Sequence, residues 1–198
     1  MRDTPQDGWK AMSIPAKDHR IESKVHALVE PVVNNAGFDL VELRMLRGPG
    51  GSIRLQLFID SPTGVLVDHC AEISRKAGAL LEVEDPIKGA YDLEVSSPGM
   101  KRLIRHAQDV ERFQGIRARA TLSETGESPR VTHIGTLHSG DETSLKVKLD
   151  SGEVIDVQWD EVHRVTLDPT MNQWIAIGEQ QRLAAQAAAT EPSQAQMA

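Results

Sequence analysis

Apolar residues recur along the chain with two periods. From residue 18 they fall at Ile21, Val25, Leu28, Val29, Val32 and Val33. These spacings, mostly three and four, trace one stripe of an amphipathic helix. Asp18 suits the N-cap, Pro31 predicts a kink or a division, and Gly37 predicts the stop. The period then becomes two. Val41, Leu43 and Met45 alternate with polar neighbours over residues 38–47, and Ile53, Leu55, Leu57 and Ile59 do so over residues 52–60. Gly48, Pro49, Gly50 and Gly51 lie between these strands, so the pair predicts an antiparallel hairpin. A second helical stripe follows at Cys70, Ile73, Ala77, Leu80 and Leu81, with Asp68 as its N-cap and its end between Glu82 and Pro86. Tyr91, Leu93 and Val95 then alternate with Asp92, Glu94 and Ser96 as a further strand. The pattern is αββαβ, with both helices expected on one face of the sheet to bury their stripes.

That last strand stops abruptly. Pro98 cannot donate to a ladder, and Gly99 accepts the positive φ that a tight turn can require. Residues 100–114 have room for short helical turns around Leu103, Ile104, Val110 and Phe113, and read as a basic hinge. After Gly115 the period is two again, with Ile116, Ala118, Ala120 and Leu122 alternating with Arg117, Arg119 and Thr121. A polar loop over residues 123–130 precedes a strand over 131–137, in which Gly135 predicts a bulge or sharp bend. Residues 144–149 and 153–159 read as a hairpin about Asp150, Ser151 and Gly152, and residues 162–167 as a last short strand. Short strands spaced by turns predict a small barrel, whose closure removes exposed edges. Residues 169–198 are rich in Gln and Ala with little to bury, and read as a disordered or partly helical tail. The expected fold is therefore α+β, in five parts. They are a flexible lead (1–17), an αββαβ domain (18–99), the hinge (100–114), a barrel (115–168) and the tail (169–198).

Charge changes the picture of possible partners. The 198 residues carry a net −7, yet residues 101–120 hold six cations (Lys101, Arg102, Arg105, Arg112, Arg117 and Arg119) against Asp109 and Glu111. Non-specific nucleic-acid affinity comes mainly from phosphate neutralisation, so an acidic chain is a poor general binder while a local basic surface remains useful. No apolar run approaches the roughly 18 residues of a membrane span. Residues 1–17 are polar without the apolar core of a signal peptide, and the single cysteine excludes an intramolecular disulfide. A cytoplasmic protein is expected.

The residues offer no recognisable catalytic constellation. There is no Gly-x-Ser-x-Gly elbow, no His-Glu-x-x-His, no phosphate loop and no Gly-x-Gly-x-x-Gly. Cys70 lies on the apolar stripe beside His69 and reads as a small buried hydrophobe; no second cysteine exists to build a zinc site with it. No cofactor and no metal are expected. Ser96, Ser97, Pro98 and Gly99 admit two readings. They are a turn in which a serine hydroxyl caps the following short helix, or a contact surface together with the cations that follow. A hydrolase using Ser96 or Ser97 has no partnered base.

These residues also resemble a known family. Leu93-Glu94-Val95-Ser96-Ser97-Pro98-Gly99 resembles the signature of the bacterial ribosome maturation factor RimP family. Val29-Glu30-Pro31, Ala36-Gly37-Phe38-Asp39-Leu40-Val41, Leu57-Phe58-Ile59-Asp60 and Val67-Asp68-His69-Cys70-Ala71-Glu72-Ile73-Ser74 resemble that family's earlier elements in order and spacing. Phe113-Gln114-Gly115 and Ile134-Gly135-Thr136-Leu137 are the best anchors in the second half. The chain departs from the family after Met100. An acidic residue and an Arg-Pro pair are usual there, and Lys101-Arg102-Leu103 stands in their place. The resemblance implies a KH-like first domain, an SH3-like or Sm-like barrel, and a non-enzymatic assembly factor. Its implied partner is the small ribosomal subunit, through rRNA and a protein of the decoding region. No membrane and no small-molecule substrate are implied, and a monomer is expected. Ser96, Ser97, Pro98, Gly99, Lys101, Arg102, Arg105, Arg117 and Arg119 are the expected ribosome or rRNA contacts. The alternative is a free-standing RNA-binding module for mRNA or small RNA. A KH domain proper clamps the backbone with a Gly-x-x-Gly loop, and neither inter-helix loop offers one with basic flanks.

Overall fold

The computed structural model describes residues 16–122 and 130–190. The expected flexible lead, for residues 1–15, lies outside the described residues, as do residues 123–129 of the polar loop and 191–198 of the tail. Within them the fold is mixed α+β, with four α-helices and two sheets. Two compact units are distinguished, one of the described residues up to Pro98 with those from Ala184, the other of Gly99–Leu183. No helix among the described residues is long and apolar enough to cross a membrane.

The first unit runs α1 (Ala16–Asn35), β1 (Asp39–Arg47), β2 (Ile53–Asp60), α2 (Val67–Glu84) and β3 (Tyr91–Ser96). The sheet order is β1-β2-β3, with β1 antiparallel and β3 parallel to β2. Val25, Val29 and Val33 of α1 and Ile73, Ala77 and Leu81 of α2 are buried against Leu43, Met45, Leu55, Leu57 and Ile59. Removing a large aliphatic side chain from water in this way contributes about 1.5–3 kcal/mol. Pro31 does not divide α1, which continues through it. Both Pro31 and Ala27, whose carbonyl loses its helical donor, are exposed, so water can satisfy that oxygen. The stop at Gly37 is a Schellman turn. Its φ is +82°, its N–H donates to Asn34 O (2.9 Å), and Phe38 N–H donates to Val33 O (3.2 Å). Asp68 is not the N-cap of α2. The helix opens at Val67, and the exposed Leu66 N–H is accepted by His69 Nδ1 at 3.2 Å.

The second unit begins with β4 (Leu103–Ile104) and α3 (Ala107–Arg112), followed by β5 (Arg117–Leu122), β6 (Val131–Gly140), β7 (Ser144–Leu149), β8 (Val154–Gln158) and β9 (Val162–Leu167). One sheet joins all six strands in the order β4-β9-β5-β6-β7-β8. β5 to β8 are a meander, and β9 returns beside β5. Among the described residues no ladder closes β8 on β4, so the expected barrel is seen as a six-stranded sheet. Residues 100–114 are not a separate hinge. Ile104, Val110 and Phe113 are core residues with Ala118, Leu137, Val147, Val157 and Val165. Gly135 makes no bulge. A Cβ there would stand 2.3 Å from the Lys148 carbonyl oxygen, so the glycine permits close strand approach, and the irregularity falls between Leu137 and Ser139.

The tail takes the helical one of its two expected forms over residues 171–190. α4 (Met171–Thr190) is a regular helix whose Trp174 and Ile177 pack on the second core. A capping box starts it. Gln173 N–H donates to Thr170 Oγ1 (3.3 Å) and Thr170 N–H to Gln173 Oε1 (3.1 Å).

Candidate functional site

The expected contact residues fall on both sides of the unit boundary. In the first unit, Ser96 ends β3 and lies opposite Phe58 of β2. The alternation of β3 sends Leu93 and Val95 to the core and Glu94 and Ser96 to the helix-free face. On that face Glu94 accepts from Gln56 Nε2 (2.8 Å) and pairs with Arg54 (3.0 Å), while Arg44 pairs with Glu42 (2.7 Å) and stacks on Phe58. Ser96 and Ser97 are exposed. Among the described residues neither hydroxyl caps a helix.

In the second unit, Gly99 has φ +60° and opens a short 3₁₀ turn that ends at the exposed Lys101. Arg102 then turns inward and is only 5% exposed. Its Nη2 donates to Asp109 Oδ1 at 2.7 Å, its guanidinium lies 5.2 Å from the Phe113 ring centre, and its carbonyl accepts Leu167 N–H at 2.9 Å. The other Asp109 oxygen accepts Arg105 N–H at 3.0 Å. Arg102 thus fastens the start of the unit to β9 and α3, and a side chain so buried does not reach an external phosphate. The expectation that Arg102 makes a ribosome contact gives way to an anchoring role. The sequence hides this, because Asp109 stands seven residues on, in α3 and beyond β4, from the arginine it neutralises.

Arg105 is exposed before α3. Arg117 and Arg119 both leave β5 on its solvent side, since the intervening Ala118 is buried. Each is oriented by a carboxylate, Arg117 by Asp150 (3.1 Å) and Arg119 by Asp168 (3.1 Å). The strand register adds two cations that sequence reasoning left out. Lys148 lies in one row with Arg117, and Arg164 is paired with Thr121, two residues beyond Arg119. Alternation along the expected strands would have placed each on an outward side, but not beside these arginines.

Other reactive groups have structural settings. Cys70 is half-buried beside the first core, and burial pushes its thiol above its ordinary value. His69 accepts the Leu66 N–H at the start of α2 and packs against Phe38, with ring centres 4.8 Å apart. No three His, Cys, Asp or Glu side chains among the described residues gather where they could hold a metal ion.

The second half of α1, the hairpin, α2, β3 and the turn ending at Lys101 together make a recognisable domain. Residues 28–101 match the family model of the RimP N-terminal domain, so this stretch of the chain is similar to the first domain of that family.

Proposed function

We propose that this protein is a cytoplasmic, monomeric maturation factor of the small ribosomal subunit, acting by binding and without catalysis. The match of residues 28–101 to the RimP N-terminal domain carries this reading. In it the first unit is KH-like. The second is an SH3-like barrel, which the meander β5 to β8 with β9 returning beside β5 supports. Lys101, Arg105, Arg117 and Arg119 meet rRNA phosphates or ribosomal protein, while Ser96, Ser97, Pro98 and Gly99 shape the turn before them. Arg102 holds that turn in place through Asp109. The acidic remainder of the chain suits a basic ribosomal protein of the decoding region, because complementary charge speeds association and excludes wrong partners.

The mechanism is differential binding. The factor holds an immature arrangement of rRNA and protein and releases the mature one, and its influence is limited by its preference between the two. Co-sedimentation on sucrose gradients tests the reading. Enrichment on free small subunits, and not on large subunits or translating ribosomes, is the expected result. Absence from every particle, with tight binding to short single-stranded RNA, overturns it in favour of a free-standing RNA-binding module.

A further inference from the structure

We propose that the outer face of the second sheet is a binding surface for an RNA sugar–phosphate backbone, on which Lys148 and Arg164 act with Arg117 and Arg119. Only the identity of that RNA, the rRNA of an immature small subunit, rests on the function proposed above.

The strand register assembles this face. Side chains of directly paired residues project from the same side of a sheet. Arg117 pairs with Thr136, and Thr136 with Lys148, which makes one row across β5, β6 and β7. Arg119 pairs with Thr166 of β9 and Ile134 of β6 in the next row. Thr121 pairs with Arg164 on one side and Thr132 on the other in the third. Neighbouring strands lie about 4.8 Å apart, so Arg117 and Lys148 stand about 10 Å apart at the backbone. Their side chains can engage separate phosphates of one strand.

Charge and chemistry choose the occupant. Lys146, two residues before Lys148, shares this face with those four cations, and Asp150, Asp168 and Asp156 pair with Arg117, Arg119 and Lys146 in turn. The open face of the first sheet is different. There Arg44 and Arg54 meet Glu42, Glu94 and Asp92, a balance that repels an anion. Among the described residues, the paired rows of the second sheet carry no aromatic side chain on which a base could stack. They offer guanidinium, ammonium and threonine hydroxyl donors, the groups that bind phosphate and sugar without reading sequence. The Arg117–Asp150 and Arg119–Asp168 pairs leave Arg117 36% and Arg119 51% exposed. Ion pairs this exposed are weak and screened by salt, so they hold the guanidiniums over the sheet without blocking a phosphate.

The test uses the full chain with Lys148 and Arg164 both changed to Glu, compared with Arg75→Glu/Lys76→Glu on α2, which makes the same change in net charge. Affinity for a short single-stranded RNA is measured by fluorescence anisotropy over a range of salt, beside co-sedimentation with small subunits. The double change on the sheet is expected to weaken RNA binding about tenfold or more and to flatten the salt dependence by about two phosphate contacts, while the α2 variant stays near wild type. Lys148→Gln/Arg164→Gln repeats the measurement without added carboxylates, should the Glu variant unfold. Unchanged RNA affinity in a folded variant overturns the surface, as does a wild-type protein with no RNA affinity at low salt. Unchanged RNA affinity with lost subunit binding makes the face a protein contact, so the RNA surface fails while the maturation reading stands. Lost RNA affinity in the variant, with no subunit association even of wild type, supports the surface and removes the maturation reading.

Discussion

The two units bury their cores by different means. In the first, two long helices lie over a three-stranded sheet, and six of the fourteen buried core residues come from helical stripes. In the second, strands supply most of the interior, with the six residues of α3 and the start of α4 closing on it. The difference extends to charge. Arginines on the first sheet's open face are balanced by acids two residues or one strand away. In the second unit one arginine is drawn inside and the others are displayed. A helix-covered sheet needs little beyond amphipathic periodicity. A strand-built core needs anchors and close approaches from residues distant in sequence, and those are its sensitive points.

The sharpest test of that contrast is Arg102. Arg102→Ala or Asp109→Ala leaves one buried charge without its main partner, and about 3–5 kcal/mol of stability is expected to be lost. Trp159 and Trp174 both pack on the second core, so their fluorescence in urea reports the loss, and amide exchange in α1 and α2 is expected to stay unchanged. Equal loosening of both units would break the comparison.

Glycine substitutions come next, with opposite signs in the two units. Gly135→Ala places a Cβ 2.3 Å from the Lys148 carbonyl, so β6 and β7 must separate. Overpacking of this kind costs about 1–3 kcal/mol, read as a lowered melting temperature. Gly78→Ala in α2 meets only Leu93 Cδ2, at 3.8 Å, and is expected to stabilise the first unit by about 0.5–1 kcal/mol through helix propensity.

The smallest effect is expected at Asp141, in the turn between β6 and β7. The Thr143 hydroxyl, then the backbone N–H groups of Thr143 and Ser144, hold its carboxyl below the ordinary aspartate range. A carboxyl depressed in the folded state adds stability above its unfolded pKa, and that stability is lost as pH falls through the folded value. The melting temperature of wild type should therefore fall more steeply than that of Asp141→Ala as pH drops below about 4. Parallel profiles would show that the turn does not depend on the carboxylate.

Much of the first unit was legible because burial is one-sided there. The stripe at Val25, Val29 and Val33 and the alternation at Leu55, Leu57 and Ile59 follow directly from helical and strand periods. Errors arose where a local rule met a tertiary one. Pro31 sits on a wet face that tolerates it, and α2 opens one residue before Asp68, with His69 Nδ1 accepting the N–H of Leu66. The start of α4 was written in Thr170 and Gln173, but its purpose needs the core that Trp174 and Ile177 meet.

From its residues alone this chain specifies an α+β fold, the αββαβ order of its first unit, a run of short strands after Gly115, and a basic segment beginning near Lys101, because periodicity, turn residues and charge act over short range. Tertiary structure alone decided which of those cations faces solvent. Arg102 and Arg119 are alike in the sequence, but Asp109 and Phe113 enclose the first, and pairing with β6 and β9 sets the second on an open face. The deciding contacts join residues that only strand register and packing bring together, and no local pattern encodes that register.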